Sequence, residues 1–205
     1  VIFVLIYSIF TIQTIEVVGG GVHITVDEKR FPKHLLFIGE KKLTDELLRR
    51  YPQLESITIQ KRYPHTLVVI AKPRVGIARL HTAIGSFRVD ADGVVLEDTD
   101  VRETLPLLDI PVLQLSLGEH IKENRVLSAI GFVGNSKAFV TIVTIQVADG
   151  ASLLAKSATT DIFFPQHGNS VALAATLQTL MRGFRMKGVL PAKIDLRFDK
   201  PVVSF

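Results

Sequence analysis

The sequence predicts an α+β fold in two parts, a small domain with helices on one face of a short sheet and a larger β-rich domain with helices packed on a mainly antiparallel sheet. Three observations carry this. Between Lys41 and Tyr51, the residues Leu43, Leu47, Leu48 and Tyr51 recur at helical spacing, with Lys42, Asp45, Glu46 and Arg49 on the opposite face. Two alternating segments follow, one from Ile57 and one through Leu67, Val69 and Ala71, reversed at Pro64. Past Pro73 the texture changes to short strands and tight turns, among them Asp92-Gly93 and Asp149-Gly150.

In chain order, Ile12, Ile15, Val17 and Val18 predict a first strand, stopped by Gly19-Gly20-Gly21 because ordering glycine costs the most backbone entropy. No Gly-Lys-Ser/Thr follows these glycines, which argues against a phosphate-binding loop. From Val22 to Glu40, Pro32 disfavours a long helix, and Leu35 to Ile38 form an apolar run that suits a short helix or a strand. The amphipathic helix then runs to Pro52, which ends it. No residue between Tyr51 and Lys72 is arranged for chemistry, so the strand pair there reads as a docking element.

In the larger part, Ile77 to His81 and Ser86 to Val89 are strand-like, and Asp92-Gly93 predicts a hairpin into Val94, Val95 and Leu96. The run Asp90-Ala91-Asp92-Gly93 lacks the later ligands and closing Glu of a calcium loop. Asp149-Gly150 predicts a second hairpin joining Phe139–Val147 to Ser152–Lys156. Glu123 to Ile130 reads as a short helix with Val126, Leu127 and Ile130 inward. Asn169 or Ser170 caps a longer helix with Val171, Ala174, Leu177, Met181 and Phe184 on one side. Arg182, Arg185 and Lys187 sit near its carboxyl end, where cations are favoured, and Gly188 and Pro191 stop it. A last strand, Lys193 to Phe198, places Ile194, Leu196 and Phe198 on one face. Pro201 can start a strand or lie on an edge but not within a central ladder, so residues 202 to 205 are expected at an edge.

Composition bounds the function. The 205 residues are 47% hydrophobic, enough for two small cores, and include no cysteine, which removes disulfides, thiolate metal sites and thiol catalysis. The net charge of +4 comes from dispersed Lys and Arg rather than a basic stripe, the pattern of a solvated surface and not of a nucleic-acid binder. The first twelve residues carry no charge. They are too few to span a bilayer alone and could be a buried strand or a signal-peptide core, but the reading adopted for residues 1–12 is the outer end of a truncated transmembrane helix. The six histidines show no metal-binding spacing, and no Gly-x-Ser-x-Gly elbow occurs. Acid pairs such as Asp45 with Glu46 and Glu97 with Asp98 suit solvated faces. These features point to a binding protein, with no catalytic residues, cofactor or metal and no small-molecule substrate.

Several segments together resemble the FtsQ/DivIB family of bacterial cell-division proteins. They are Ile15-Glu16-Val17-Val18-Gly19, Tyr51-Pro52, Lys61-Arg62-Tyr63-Pro64-His65-Thr66-Leu67, Lys72-Pro73-Arg74-Val75-Gly76-Ile77-Ala78, Val89 to Val95 with Leu105-Pro106-Leu107-Leu108, and Ile194-Asp195-Leu196-Arg197-Phe198. Each is weak alone, and their order after an apolar amino end is what carries the resemblance. It implies a POTRA-like β-α-α-β-β domain over residues 13–74 and an FtsQ/DivIB-type β domain over 75–205. It also implies a non-enzymatic divisome scaffold, single-pass in the cell membrane with most of the chain extracytoplasmic, acting at the septum. The partners it implies are the small coiled-coil protein FtsB, or its counterpart DivIC, and FtsL, held by β-strand addition. Carried onto this chain, the partner-binding positions are Phe198, Val202, Val203 and Phe205, although the parity of Phe198 with Ile194 and Leu196 fits ordinary core equally well. Pro32 and the triple glycine depart from the family pattern, and residues 22–40 and 113–135 have no match. The competing expectation is a POTRA protein of outer-membrane assembly or secretion, which receives unfolded substrates. Such proteins usually repeat the domain and append a barrel; here one copy and no series of membrane strands is found.

Overall fold

A computed structural model of the chain describes residues 9–19, 33–82, 85–97, 104–112 and 115–205. The fold is α+β, with two separate sheets, and the chain divides into two compact units, Val1–Arg74 and Val75–Phe205.

The first unit contains β1 (Thr14–Val18), α1 (Glu40–Arg50), β2 (Leu54–Arg62) and β3 (Thr66–Pro73), with sheet order β1-β3-β2. β2 and β3 form the antiparallel hairpin that turns at Pro64, whereas β1 lies parallel to β3. Parallel neighbours need a crossover, and the chain that returns from β1 to β3 carries α1. Leu43 and Leu47 of α1 pack on Ile57, Ile59, Leu67, Val69 and Ala71 of the sheet. β2 begins at Leu54 rather than Ile57 because a register shift between Leu54 and Ser56 admits an irregular first pair. The apolar run before α1 forms a 3-10 turn, Leu35–Phe37.

On the opposite face, Glu16 of β1 and Arg62 of β2 reach across β3 to a 2.8 Å ion pair. Val68, whose register partner on β1 is Glu16, is 3% exposed there. Gly19 ends β1 with φ +136°, and a Cβ at that position would overlap the Ala71 carbonyl oxygen, so both backbone freedom and close approach require glycine. Ahead of β1, Thr11 makes an antiparallel bridge to His34 and the Ile12 amide donates to the Lys33 carbonyl at 3.0 Å, so Ile12, expected in the first strand, lies just before it. Residues 1–8 of the expected transmembrane segment, and residues 20–32 with Pro32, lie outside the described residues.

The second unit contains β4 (Gly76–Thr82), β5 (Gly85–Asp90), β6 (Val95–Leu96), β7 (Leu107–Asp109), α2 (Asn124–Ser136), β8 (Ile142–Val147), β9 (Ser152–Ser157), β10 (Asp161–Pro165), α3 (Ser170–Met186), β11 (Lys193–Asp195) and β12 (Val202–Ser204). They form one sheet in the order β12-β11-β10-β9-β8-β7-β4-β5-β6. Five of its eight pairings are antiparallel; the parallel ones are β4 with β7, β7 with β8 and β10 with β11. Two of those parallel pairs are joined by helices, α2 between β7 and β8 and α3 between β10 and β11, as crossover connections demand.

Both Asp-Gly signals mark hairpins. The Asp90 carboxylate accepts from the Asp92 and Val94 amides at 3.0 and 2.7 Å, and Gly93 takes φ +79°, so side chain and glycine together close the β5–β6 turn. At the β8–β9 turn the Asp149 carboxylate accepts from the Ala151 amide. β8 starts at Ile142, leaving Phe139 in the connection after α2.

α2 continues six residues past the expected end at Ile130, to Ser136, through Gly131 and Gly134. Tertiary packing overrides their low propensity: a Cβ on Gly131 would stand 2.6 Å from Ser170 Oγ and 3.0 Å from Ser170 Cβ, so the glycine lets α2 meet the start of α3. Phe132 of α2 stacks on Phe164 of β10 with ring centroids 4.2 Å apart, both rings fully buried. α3 is capped by Asn169, whose side chain accepts from the Val171 and Ala172 amides. Ala174, Leu177 and Met181 face the core as expected, but Val171 is 61% exposed and lies off the stripe.

Candidate partner-binding edge

The carboxyl end of the chain builds one border of the large sheet. β12 pairs antiparallel with β11 alone, in the register Lys193 with Ser204, Ile194 with Val203 and Asp195 with Val202. Pro201 immediately precedes it, consistent with the limit that a missing amide sets on where proline can sit in a ladder. Among the described residues the far side of β12 has no strand partner, so its backbone donors and acceptors are available to an incoming extended segment.

Register sorts the side chains. Val203 lies beside Ile194, which is fully buried in the core, and Val203 itself is half-buried. Phe205 has the same parity, and its ring meets Phe184 of α3 edge-on at 5.6 Å while remaining 72% exposed. Val202, 55% exposed, lies on the other face in line with Asp195 and Phe163 of β10. The edge therefore presents apolar side chains on both faces.

Phe198 departs from the expected parity. Ile194 and Leu196 are buried, but Phe198 is 59% exposed and lies beyond β11, which ends at Asp195. The cause is local electrostatics. The Arg197 amide donates to Asp195 Oδ1 at 3.1 Å, and its guanidinium donates from Nη2 to Oδ2 at 2.6 Å, which turns the chain off the ladder before Phe198 is reached. The core alternative for Phe198 is therefore removed.

The same arginine organises the outer face. Its Nη1 donates to Asp149 Oδ2 at 3.2 Å, tying the β8–β9 turn to the end of β11. Its guanidinium carbon lies 5.3 Å from the Phe163 ring centre and 5.7 Å from that of Phe198, and Lys193 Nζ lies 4.4 Å from Phe163. Asp195 is almost fully buried, and its carboxyl is held below the ordinary carboxylate range, chiefly by the Arg197 side-chain hydrogen bonds and against the opposing effect of burial.

Sequence reasoning missed this clamp and missed β10 altogether. The signals were present: Asp195-Leu196-Arg197 sets opposite charges at like parity, and Ile162-Phe163-Phe164-Pro165 is a short apolar run closed by proline. Among the described residues no group of three or more His, Asp or Glu side chains is placed to hold a metal ion. What the edge offers chemically is backbone pairing and apolar contact rather than bond-making. No protein-family model matches the chain, and no curated protein matches it.

Proposed function

We propose that this chain is a non-enzymatic scaffold of the bacterial division machinery, of the FtsQ/DivIB kind, which holds an FtsB- or DivIC-like partner by strand addition onto β12, together with an FtsL-like protein. In this reading one membrane helix anchors it in the cell membrane, with a POTRA-like domain and then the β domain on the extracytoplasmic side at the septum.

The observation that carries the reading is β12 itself: a carboxyl-terminal edge strand, unpaired on its outer side among the described residues, with Val202 and Phe205 exposed on its two faces. An extended partner segment there gains main-chain hydrogen bonds from the edge and selectivity from the flanking side chains. Phe198 and Val203 complete the apolar border. The β1-β3-β2 sheet with α1 on one face supports the POTRA-like part of the reading, since a parallel outer strand and an antiparallel hairpin are what a β-α-α-β-β chain builds.

Co-purification with the full-length protein from its own cells tests the class. Recovery of FtsB and FtsL counterparts is the expected result. Recovery of outer-membrane proteins in their place would overturn it in favour of a role in outer-membrane assembly.

A further inference from the structure

We propose that the end of the first unit where the chain enters seats in the interfacial layer of a lipid bilayer, through an aromatic cluster assembled from three separate segments. This rests on the anchoring reading above and adds a contact surface to it. Ile9 and Phe10 bring the chain in, Leu36 and Phe37 come from the 3-10 turn, and Tyr63 comes from the β2–β3 turn.

Backbone hydrogen bonds hold these segments together. The Leu35 amide donates to the Phe10 carbonyl at 2.8 Å, the Ile12 amide to that of Lys33 at 3.0 Å and the Gln13 amide to that of His65 at 3.0 Å. The rings follow: Phe10 meets Tyr63 edge-on at 5.8 Å and His34 at 6.5 Å, and His34 lies 5.1 Å from Phe37. His34 and Leu35 are buried beneath, yet Phe37 is 73% exposed, Tyr63 57%, Ile9 47% and Leu36 42%. Large apolar side chains gathered on one end, over a framework that fixes their positions, mark a surface that is covered by something.

The sequence that joins this end says what covers it. Residues 1–8, Val-Ile-Phe-Val-Leu-Ile-Tyr-Ser, are uncharged and continue directly into Ile9. Such a segment favours hydrocarbon over water, and whatever follows it is delivered to the headgroup layer, where tyrosine and other rings with one wet edge are enriched. Electrostatics agree with an anionic surface. Glu16 and Glu40 are each ion-paired, to Arg62 at 2.8 Å and Lys61 at 3.4 Å, while Lys33 stands exposed beside the cluster.

These 205 residues contain no tryptophan, so in a full-length protein with any tryptophan outside them replaced by phenylalanine a single introduced one reports its own surroundings. The full-length Phe37→Trp protein is reconstituted into vesicles of phosphatidylcholine and phosphatidylglycerol with brominated acyl chains. Val143→Trp, at an exposed position on β8, serves as the reference. The expected result is a blue-shifted emission that brominated lipid quenches for Phe37→Trp, and again for Tyr63→Trp, but not for Val143→Trp. If the protein fractionates with the vesicles while the indole of Phe37→Trp stays as unquenched as that of Val143→Trp, the aromatic contact is overturned and the anchor stands. If the protein does not fractionate with the vesicles, anchor and contact fall together.

Discussion

Arg197 turns its guanidinium back onto the residue two before it, donating from Nη2 to Asp195 Oδ2 at 2.6 Å and from Nε to Oδ1 at 2.9 Å. This short loop of charge sets where β11 stops and where Phe198 goes. Protonation there alters the candidate edge directly, because Asp195 is buried and its carboxyl is held below the ordinary carboxylate range by Arg197.

A group whose folded pKa is depressed contributes stability that is fully present above its unfolded value, about 3.9 for aspartate, and is lost as pH falls through the folded value. Replacing Arg197 with Met removes the partner and leaves a buried carboxylate. The variant is therefore expected to denature at lower urea than the parent near pH 7, with the gap narrowing as pH falls and closing only below the depressed folded value of Asp195 in the parent, where the carboxyl is protonated in both. Urea melts across that range check it; a gap independent of pH would mean that Arg197 acts through packing on Phe163 and Phe198 alone.

At the edge itself, fold and binding separate by position. Phe205 is 72% exposed with one ring contact, to Phe184, so Phe205→Glu is expected to cost about 1 kcal/mol or less of stability while weakening retention of an FtsB-like partner. Val203→Asp is expected to weaken the same retention with a larger stability loss, since Val203 is half-buried beside Ile194. Phe164→Ala, in the buried stack with Phe132, is expected to cost about 3–5 kcal/mol. Denaturant melts and a pull-down on each variant check the set, and undiminished retention by Phe205→Glu would sink the binding assignment.

The cap of α3 provides a local test. Asn169 accepts from the Val171 and Ala172 amides at 3.0 and 3.2 Å, donors that α3 cannot satisfy itself. Asn169→Ala is expected to lower stability by about 1 kcal/mol, and Asn169→Asp to retain most of it. Urea denaturation followed by circular dichroism measures both.

What was legible in the sequence is what local chemistry decides. α1 followed from the spacing of Leu43 and Leu47, the hairpins from Asp92-Gly93 and Asp149-Gly150, and the edge position of β12 from the missing amide of Pro201. What was missed depends on partners distant in the chain. The last turns of α2 contain Gly131 and Gly134, which propensity reads as a stop and which packing against α3 accounts for at Gly131. β10 alternates in burial, with Ile162 and Phe164 inward, but Phe163 between them is apolar as well, so the sequence shows a run without alternation to distinguish it. Phe198 has the parity of a core residue, and only the Asp195–Arg197 contact, invisible to a parity count, turns it outward.

The contact between α2 and α3 yields the sharpest of these tests, because it predicts a change of sign. In a free helix, alanine is favoured over glycine by about 1 kcal/mol. At Gly131 the added methyl would stand 3.0 Å from Ser170 Cβ and closer still to its hydroxyl, and the hydroxyl can rotate away whereas the Cβ cannot. Gly131→Ala is therefore expected to destabilise the protein by about 1–3 kcal/mol, the usual range for an overpacked contact. Ser170→Gly removes both obstructing atoms, and in that background Gly131→Ala is expected to stabilise by up to about 1 kcal/mol. A double-mutant cycle from urea melts measures the coupling, and an equal effect of Gly131→Ala in both backgrounds would show that Ser170 does not set the approach of the two helices.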